Sequence, residues 1–196
     1  MPENRELRAA ARNQLKGSWL PAVGITLVYS ILSGIAGSIF GIGLLIVGGP
    51  LTLGFLGYFV HKARGEKAEI ENLFEGFKNF GTSFLLYVLV GVFTFLWSLL
   101  LVVPGIIKAI SYSMSFFILR DNPGMSAMDA LNASKKMMNG YKWKLFTLCL
   151  SFIGWCLLCG LTFGIGYLWL SPYMTLSATN FYENLKKKQG GEAAAA

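Results

Sequence analysis

Residues 17–60 read GSWLPAVGITLVYSILSGIAGSIFGIGLLIVGGPLTLGFLGYFV, and no Asp, Glu, Lys, Arg or His interrupts them. At ~1.5 Å per residue one helix of that length would reach about 66 Å, whereas the hydrocarbon core of a bilayer is roughly 30 Å thick. The stretch must therefore fold back once. Three more runs carry no such residue, at 79–107, 109–119 and 145–182. The last folds back by the same arithmetic, and 79–119 does so if Lys108 is tolerated near a membrane surface. The reading is an all-α membrane protein with six transmembrane helices in three hairpins, over 19–39, 42–61, 80–101, 104–120, 145–163 and 165–184. Composition agrees, with 54% hydrophobic and 14% charged residues and a mean hydropathy of +0.54, which excludes an ordinary soluble domain.

Charge tests the count independently, because Lys and Arg accumulate in cytoplasmic segments. Six crossings put both termini on the cytoplasmic side. Arg5, Arg8, Arg12 and Lys16 then fall inside, as do Lys62, Arg64, Lys67 and Lys78, then Arg120, Lys135, Lys136, Lys142 and Lys144, and finally Lys186, Lys187 and Lys188. Every basic residue except Lys108 is accounted for, and the net charge of +7 acquires a topological cause. No nucleic-acid motif accompanies that charge, so a nucleic-acid partner is not expected. The apolar stretch after the basic N-region is far longer than a signal h-region and lacks an A-x-A-like site, so it reads as an uncleaved first span.

The inner segments carry helical patterns of their own: Ile70, Leu73, Phe74, Phe77 and Phe80, then Met128, Leu131, Ser134, Met137 and Met138. Ser126 with Asp129 three residues later predicts a capped helix start, and Gly140 its end. In the N-terminal stretch Arg5, Arg8, Arg12 and Lys16 form one stripe, with Leu7, Ala10, Ala11 and Leu15 elsewhere around the helix. These amphipathic elbow helices are expected to lie along the inner membrane surface, facing anionic lipid. Three junctions look alike, at Gly17, Gly76 and Gly140, and Phe40-Gly41-Ile42-Gly43-Leu44 is echoed by Phe163-Gly164-Ile165-Gly166-Tyr167. A threefold repeat is one reading, and chance similarity between apolar segments the other. Gly54 and Gly57 after Pro50, Ser111 and Ser113 after Pro104, and Ser177 after Pro172 are candidate helix-packing positions, with the prolines as kinks or turns shielded from lipid.

All ten carboxylates lie at the termini or in inner segments, which speaks against proton- or sodium-coupled transport through a mid-membrane acid. Lys108 is the lone intramembrane charge. It either snorkels to the outer interface or contacts an anion such as a lipid phosphate. His61 is the only histidine, so a multi-His metal site is impossible, and it reads as a surface residue. Cys156-x-x-Cys159 sits in apolar helix and not at a strand-to-helix turn, so its thiols and that of Cys149 are expected to pack rather than exchange electrons. With no nucleophile–base pair, metal cluster or nucleotide loop, neither catalysis nor a cofactor is expected.

Val103-Pro104-Gly105-Ile106-Ile107, Tyr112-Ser113, Ser134-Lys135-Lys136-Met137-Met138-Asn139-Gly140-Tyr141-Lys142, Leu150-Ser151-Phe152-Ile153-Gly154-Trp155, Pro172-Tyr173 and Phe181-Tyr182 together resemble the bacterial membrane-protein family catalogued as domain of unknown function 975. The likeness is dense over 95–186 and looser earlier, where Ala11-Arg12 and Leu15-Lys16-Gly17-x-Trp19 are similar to the family's start. It implies a bacterial plasma-membrane protein and no known reaction. The hairpin-and-elbow plan more distantly resembles the membrane portion of some glycerophosphodiester phosphodiesterases, but no segment here could supply their metal-dependent catalytic domain. The expected role is non-enzymatic: binding or moving an amphipathic molecule, a lipid or hydrophobic peptide, with Lys108, Arg12, Lys16, Lys135 and Lys136 as candidate lipid or anion contacts. The alternative is a scaffold or accessory subunit for a membrane-protein partner, in envelope stress or peptide immunity. Residues 189–196 read as a flexible tail.

Overall fold

The computed structural model describes residues 2–38 and 42–194, and all regular structure among them is helical. In chain order the α-helices are α1 (Asn4–Leu15), α2 (Trp19–Ser38), α3 (Ile42–Arg64), α4 (Asn72–Glu75), α5 (Phe80–Leu100), α6 (Val102–Tyr112), α7 (Ser115–Asp121), α8 (Ala127–Met137), α9 (Lys142–Leu150), α10 (Ile153–Leu161) and α11 (Tyr167–Ala194). A 3₁₀ turn, Gly76–Asn79, joins α4 to α5. Five stretches are long and apolar enough to cross a membrane, at 19–38, 43–64, 72–100, 102–121 and 142–161. Residues 39–41, and with them part of the Phe40–Leu44 motif, lie outside the described residues.

Besides 72–100, where the 3₁₀ turn intervenes, two of those apolar stretches are interrupted. Between α6 and α7 the regular hydrogen-bond ladder is interrupted at Ser113 and Met114, although both keep right-handed helical dihedrals, and Ser134 of α8 spans the break. Its buried hydroxyl donates to the Ser111 carbonyl at 2.7 Å and accepts from the Met114 N–H at 3.2 Å. Backbone groups freed by a broken helix in an apolar setting need such partners. The second break, at Ser151–Phe152, separates α9 from α10.

α3 is the hub, packed by α2, α4, α5, α7 and α11. Close approach there depends on missing side chains. A Cβ on Gly54 would overlap the Leu73 carbonyl, one on Gly76 the Pro50 carbonyl, and one on Gly49 the Ser83 carbonyl. Gly57 leaves room for the Arg120 side chain, whose Nε would otherwise meet a Cβ at 2.7 Å. Ser177 is buried and returns its hydroxyl to the Tyr173 carbonyl at 2.8 Å, as Ser113 does to Ile110 at 2.8 Å and Ser111 to Ile107 at 2.7 Å.

Several sequence expectations need correction. The apolar stripes of the elbows are covered by protein only in part, and Ile70, Phe74 and Met128 stay exposed. Leu7, Ala11 and Leu15 of α1 are at most 1% exposed, against α11, α3 and α9, and Ala127, Ala130, Leu131 and Ser134 of α8 are buried against α5, α6 and α7. The inner pattern at 70–80 forms a four-residue helix and a 3₁₀ turn rather than one elbow. Of the three look-alike junctions, Gly17 and Gly140 take left-handed conformations with φ of 75° and 79°, whereas Gly76 is helical at −60° and serves as a contact point. Pro104 stands in the first turn of α6, where a missing N–H costs no intrahelical bond, so only Pro50 and Pro172 are helix-interior. α11 itself runs as helix to Ala194, with Gln189 donating to the Met137 carbonyl at 3.1 Å.

Candidate functional site

α1 begins with a capping box, in which Glu3 and Glu6 satisfy each other's backbone donors, and ends where Gly17 turns the chain into α2. Gln14 fixes its C-terminal half. The amide donates to the Ala63 carbonyl of α3 at 3.3 Å and accepts from Asn180 of α11 at 2.9 Å. Its N-terminal half is tied to α9 through Asn4 and Thr147 at 2.9 Å. This anchorage sets Arg8, half-buried, and Arg12, exposed, one turn apart beside α9, α10 and α11. Arg8 donates to the Ser151 carbonyl, at the α9–α10 break, at 3.4 Å, and its guanidinium lies 5.8 Å from the Phe152 ring centre. Arg12 lies 5.9 Å from the ring of Tyr173, about 9 Å along α11 from its start. Phe152 and Tyr173 meet edge to face at 5.3 Å.

Neither arginine has a carboxylate within ion-pair distance among the described residues, and the Arg8 Nε is buried without an acceptor. Beside Arg12 a groove of about 380 Å³ opens between α2, α10 and α11, walled by Trp19, Trp155, Leu158, Trp169 and Leu170. That volume is ordinary for a small-molecule site. Trp155 and Trp169 are about half exposed, so the groove is open sideways. The geometry pairs an apolar trough with an uncompensated guanidinium at one end. Chemically this suits a molecule with an anionic head and a hydrocarbon body, because a cation flanked by apolar walls gains most from an anion that neutralises it.

The other sequence candidates do not join this site. Lys16, the C-cap of α1, is exposed. Lys135 lies 5.6 Å from the ring of Tyr112 and donates to Asn132 at 3.2 Å, with the exposed Lys136 beside it on α8. Lys108 rests 4.3 Å from the Trp97 ring centre, an arrangement that neither expectation for it included. The face of an indole partly replaces the water a lysine loses in apolar surroundings. Of the three described cavities only the tryptophan groove contains any of the five expected contacts, namely Arg12. Trp19 and Trp169 were not candidates for it. Their one sequence signal is that Trp155 and Trp169 flank the Phe163–Gly166 turn and so face each other once the chain doubles back.

A charged cluster joins the ends of α3, α7 and α11. Arg64 binds Asp121 at 2.8 Å and Glu183 at 2.7 Å, while Asp121, 6% exposed, also accepts from Tyr182 at 2.8 Å and from Lys186. Alongside, His61 is bonded to Glu66 through Nδ1 and faces Nη2 of Arg120 through Nε2 at 2.5 Å. An arginine only donates, so that Nε2 carries the lone pair and Nδ1 the proton. The hydrogen bond from His61 holds the Glu66 carboxyl below its usual range. His61 is therefore a partnered residue at the edge of the bundle. The cysteines are free, and Cys159 is buried where Gly166 passes close to its sulfur.

No curated protein and no solved structure matches the chain. A family model described as Protein of unknown function (DUF975) matches it twice, over residues 1–111 and 99–189. The two matches overlap and together take in all but the last few residues, so the chain belongs to that family.

Proposed function

We propose that this chain is a six-crossing protein of the bacterial plasma membrane that binds an anionic amphipathic lipid without chemically altering it. The phosphate group rests against Arg12, with Arg8 behind it, and a hydrocarbon chain lies in the groove of Trp19, Trp155 and Trp169. The observation that carries this reading is Arg12, a guanidinium with no carboxylate partner at the head of an open apolar trough.

Six crossings add α11 to the five strongly apolar stretches. α11 is too polar to count by composition, but its Ser177, Thr179 and Asn180 are buried by the protein, and a helix enclosed by its neighbours need not present an apolar face to lipid. α2 packs on α3, α5 on α6, and α10 on α11, which is consistent with three hairpins. The end carrying Arg64, Arg120 and Lys186 is then cytoplasmic, together with both termini.

The test is native mass spectrometry of protein purified in mild detergent with phosphatidylglycerol and phosphatidylcholine in equal amounts. Wild type should retain phosphatidylglycerol preferentially, and Arg12→Ala should weaken that binding about tenfold, as loss of one charge-assisted contact implies. Equal retention of the two lipids, or an Arg12→Ala protein indistinguishable from wild type, would remove the basis of the proposal. Movement of lipid would show separately, as scrambling of a labelled lipid between the leaflets of reconstituted vesicles.

A further inference from the structure

A second cavity, of about 400 Å³, lies at the charged end of the bundle, away from the tryptophan groove, and its lining includes His61, Glu75, Lys78, Asn79 and Arg120. We infer that it is a phosphate-binding site, formed between α3, the α4–3₁₀ elbow and the end of α7.

The walls are set by backbone rather than by adaptable side chains. Gly54 and Gly76 hold the elbow against α3 at a distance no Cβ would permit, and Asn79 is fastened to the Pro123 carbonyl at 3.3 Å. Gly57 lets the Arg120 side chain cross α3 into the cavity. Charge inside is unbalanced. His61 presents an unprotonated Nε2 and spends its proton on Glu66 outside the lining. Glu75 is the lone carboxylate of the lining, and it meets Arg120 only at 3.4 Å. Lys78 is exposed and makes no ion pair among the described residues. One positive charge is left over. The Arg120 Nε is also buried without a hydrogen-bond acceptor, a donor that remains costly until an acceptor arrives.

A phosphate oxygen answers the charge imbalance and the weak Glu75 contact. It gives the guanidinium a better acceptor than the long Glu75 contact, takes Lys78 as second partner, and neutralises the excess charge. Leu53 and Leu119 also line the cavity, and Leu53 stands eight residues, about 12 Å, along α3 from His61. The polar end thus continues into an apolar one, which fits the phosphate of a lipid headgroup at the cytoplasmic surface. Free phosphate shares the same chemistry.

The experiment uses full-length protein carrying Arg12→Ala, so that binding in the tryptophan groove is weakened, and compares it with the same protein also carrying Lys78→Ala or Lys78→Arg. Each is titrated with inorganic phosphate by calorimetry and with phosphatidylglycerol against phosphatidylcholine by native mass spectrometry, with helicity and melting temperature checked by circular dichroism. We expect saturable binding of one probe, weakened at least tenfold by Lys78→Ala and restored by Lys78→Arg with the fold intact. Binding of phosphatidylglycerol alone identifies a lipid headgroup as the source, and binding of inorganic phosphate identifies the free anion. No binding of either probe, or binding that Lys78→Ala leaves unchanged, overturns the inference and leaves the groove proposal untouched.

Discussion

Ser134 looks ordinary in the sequence, one hydroxyl within an amphipathic stripe, yet in the fold it joins two pieces of an interrupted helix. Its hydroxyl serves one carbonyl and one N–H across the Ser113–Met114 break, and it is fully buried. Ser134→Ala leaves both backbone groups without their partner, at a cost of about 1–3 kcal/mol. The expected readout is a lower melting temperature in detergent, with lipid selectivity unchanged because the tryptophan groove lies on other helices. Asp121 occupies a comparable position among charges. It is nearly buried and accepts from Arg64, Lys186 and Tyr182. Asp121→Asn keeps the shape and removes the charge that Arg64 and Lys186 converge on, and should destabilise the protein by roughly 3 kcal/mol, less where Arg64 and Lys186 find water. Denaturant titration in micelles measures it, and an unchanged midpoint would mean that the cluster is held by something other than that carboxylate.

At the scale of elements, the apolar helices were legible because exclusion of charge from lipid is a local property of the chain, readable one run at a time. What the elbows pack against was not. Leu7, Ala11 and Leu15 make the same stripe whether lipid or protein covers it, and only the assembled neighbours, α11, α3 and α9, show that protein does. The groove was hidden for a related reason. Arg12, Trp19, Trp155, Trp169 and Tyr173 are brought together by tertiary packing, and no spacing within the sequence encodes that meeting. The prolines illustrate how position decides meaning. Pro104 in the first turn of α6 replaces an N–H that has no helical partner, so Pro104→Ala should shift stability by less than about 1 kcal/mol. Gly76→Ala should cost about 3 kcal/mol or more, since the added methyl meets the Pro50 carbonyl and not a movable side chain. A thermal melt of the two variants side by side orders them, and reversal of that order would contradict the elbow packing described for α3.

For the molecule as a whole, the binding proposals depend on which end faces the cytosol, because a lipid site at Arg12 and a phosphate site at Arg120 draw on different pools if the bundle is inverted. The number of crossings fixes this. Five crossings would put the termini on opposite sides and divide the cation clusters between compartments, whereas a sixth through α11 keeps every basic residue but Lys108 on one side, the distribution that biogenesis favours. Gly65 lies in the exposed turn after α3, and Asn132 is exposed on α8. A cysteine placed at either position, in a protein whose native Cys149, Cys156 and Cys159 are replaced by Ala, should resist a membrane-impermeant thiol reagent in intact cells and react once the membrane is opened. Cysteines at Gly164, in the turn before α11, and at Lys187 provide the opposing pair. With six crossings the first reacts from outside and the second only after permeabilisation, whereas external reaction at Lys187 would make α11 a surface helix and leave Ser177, Thr179 and Asn180 without the enclosed setting that explains their burial.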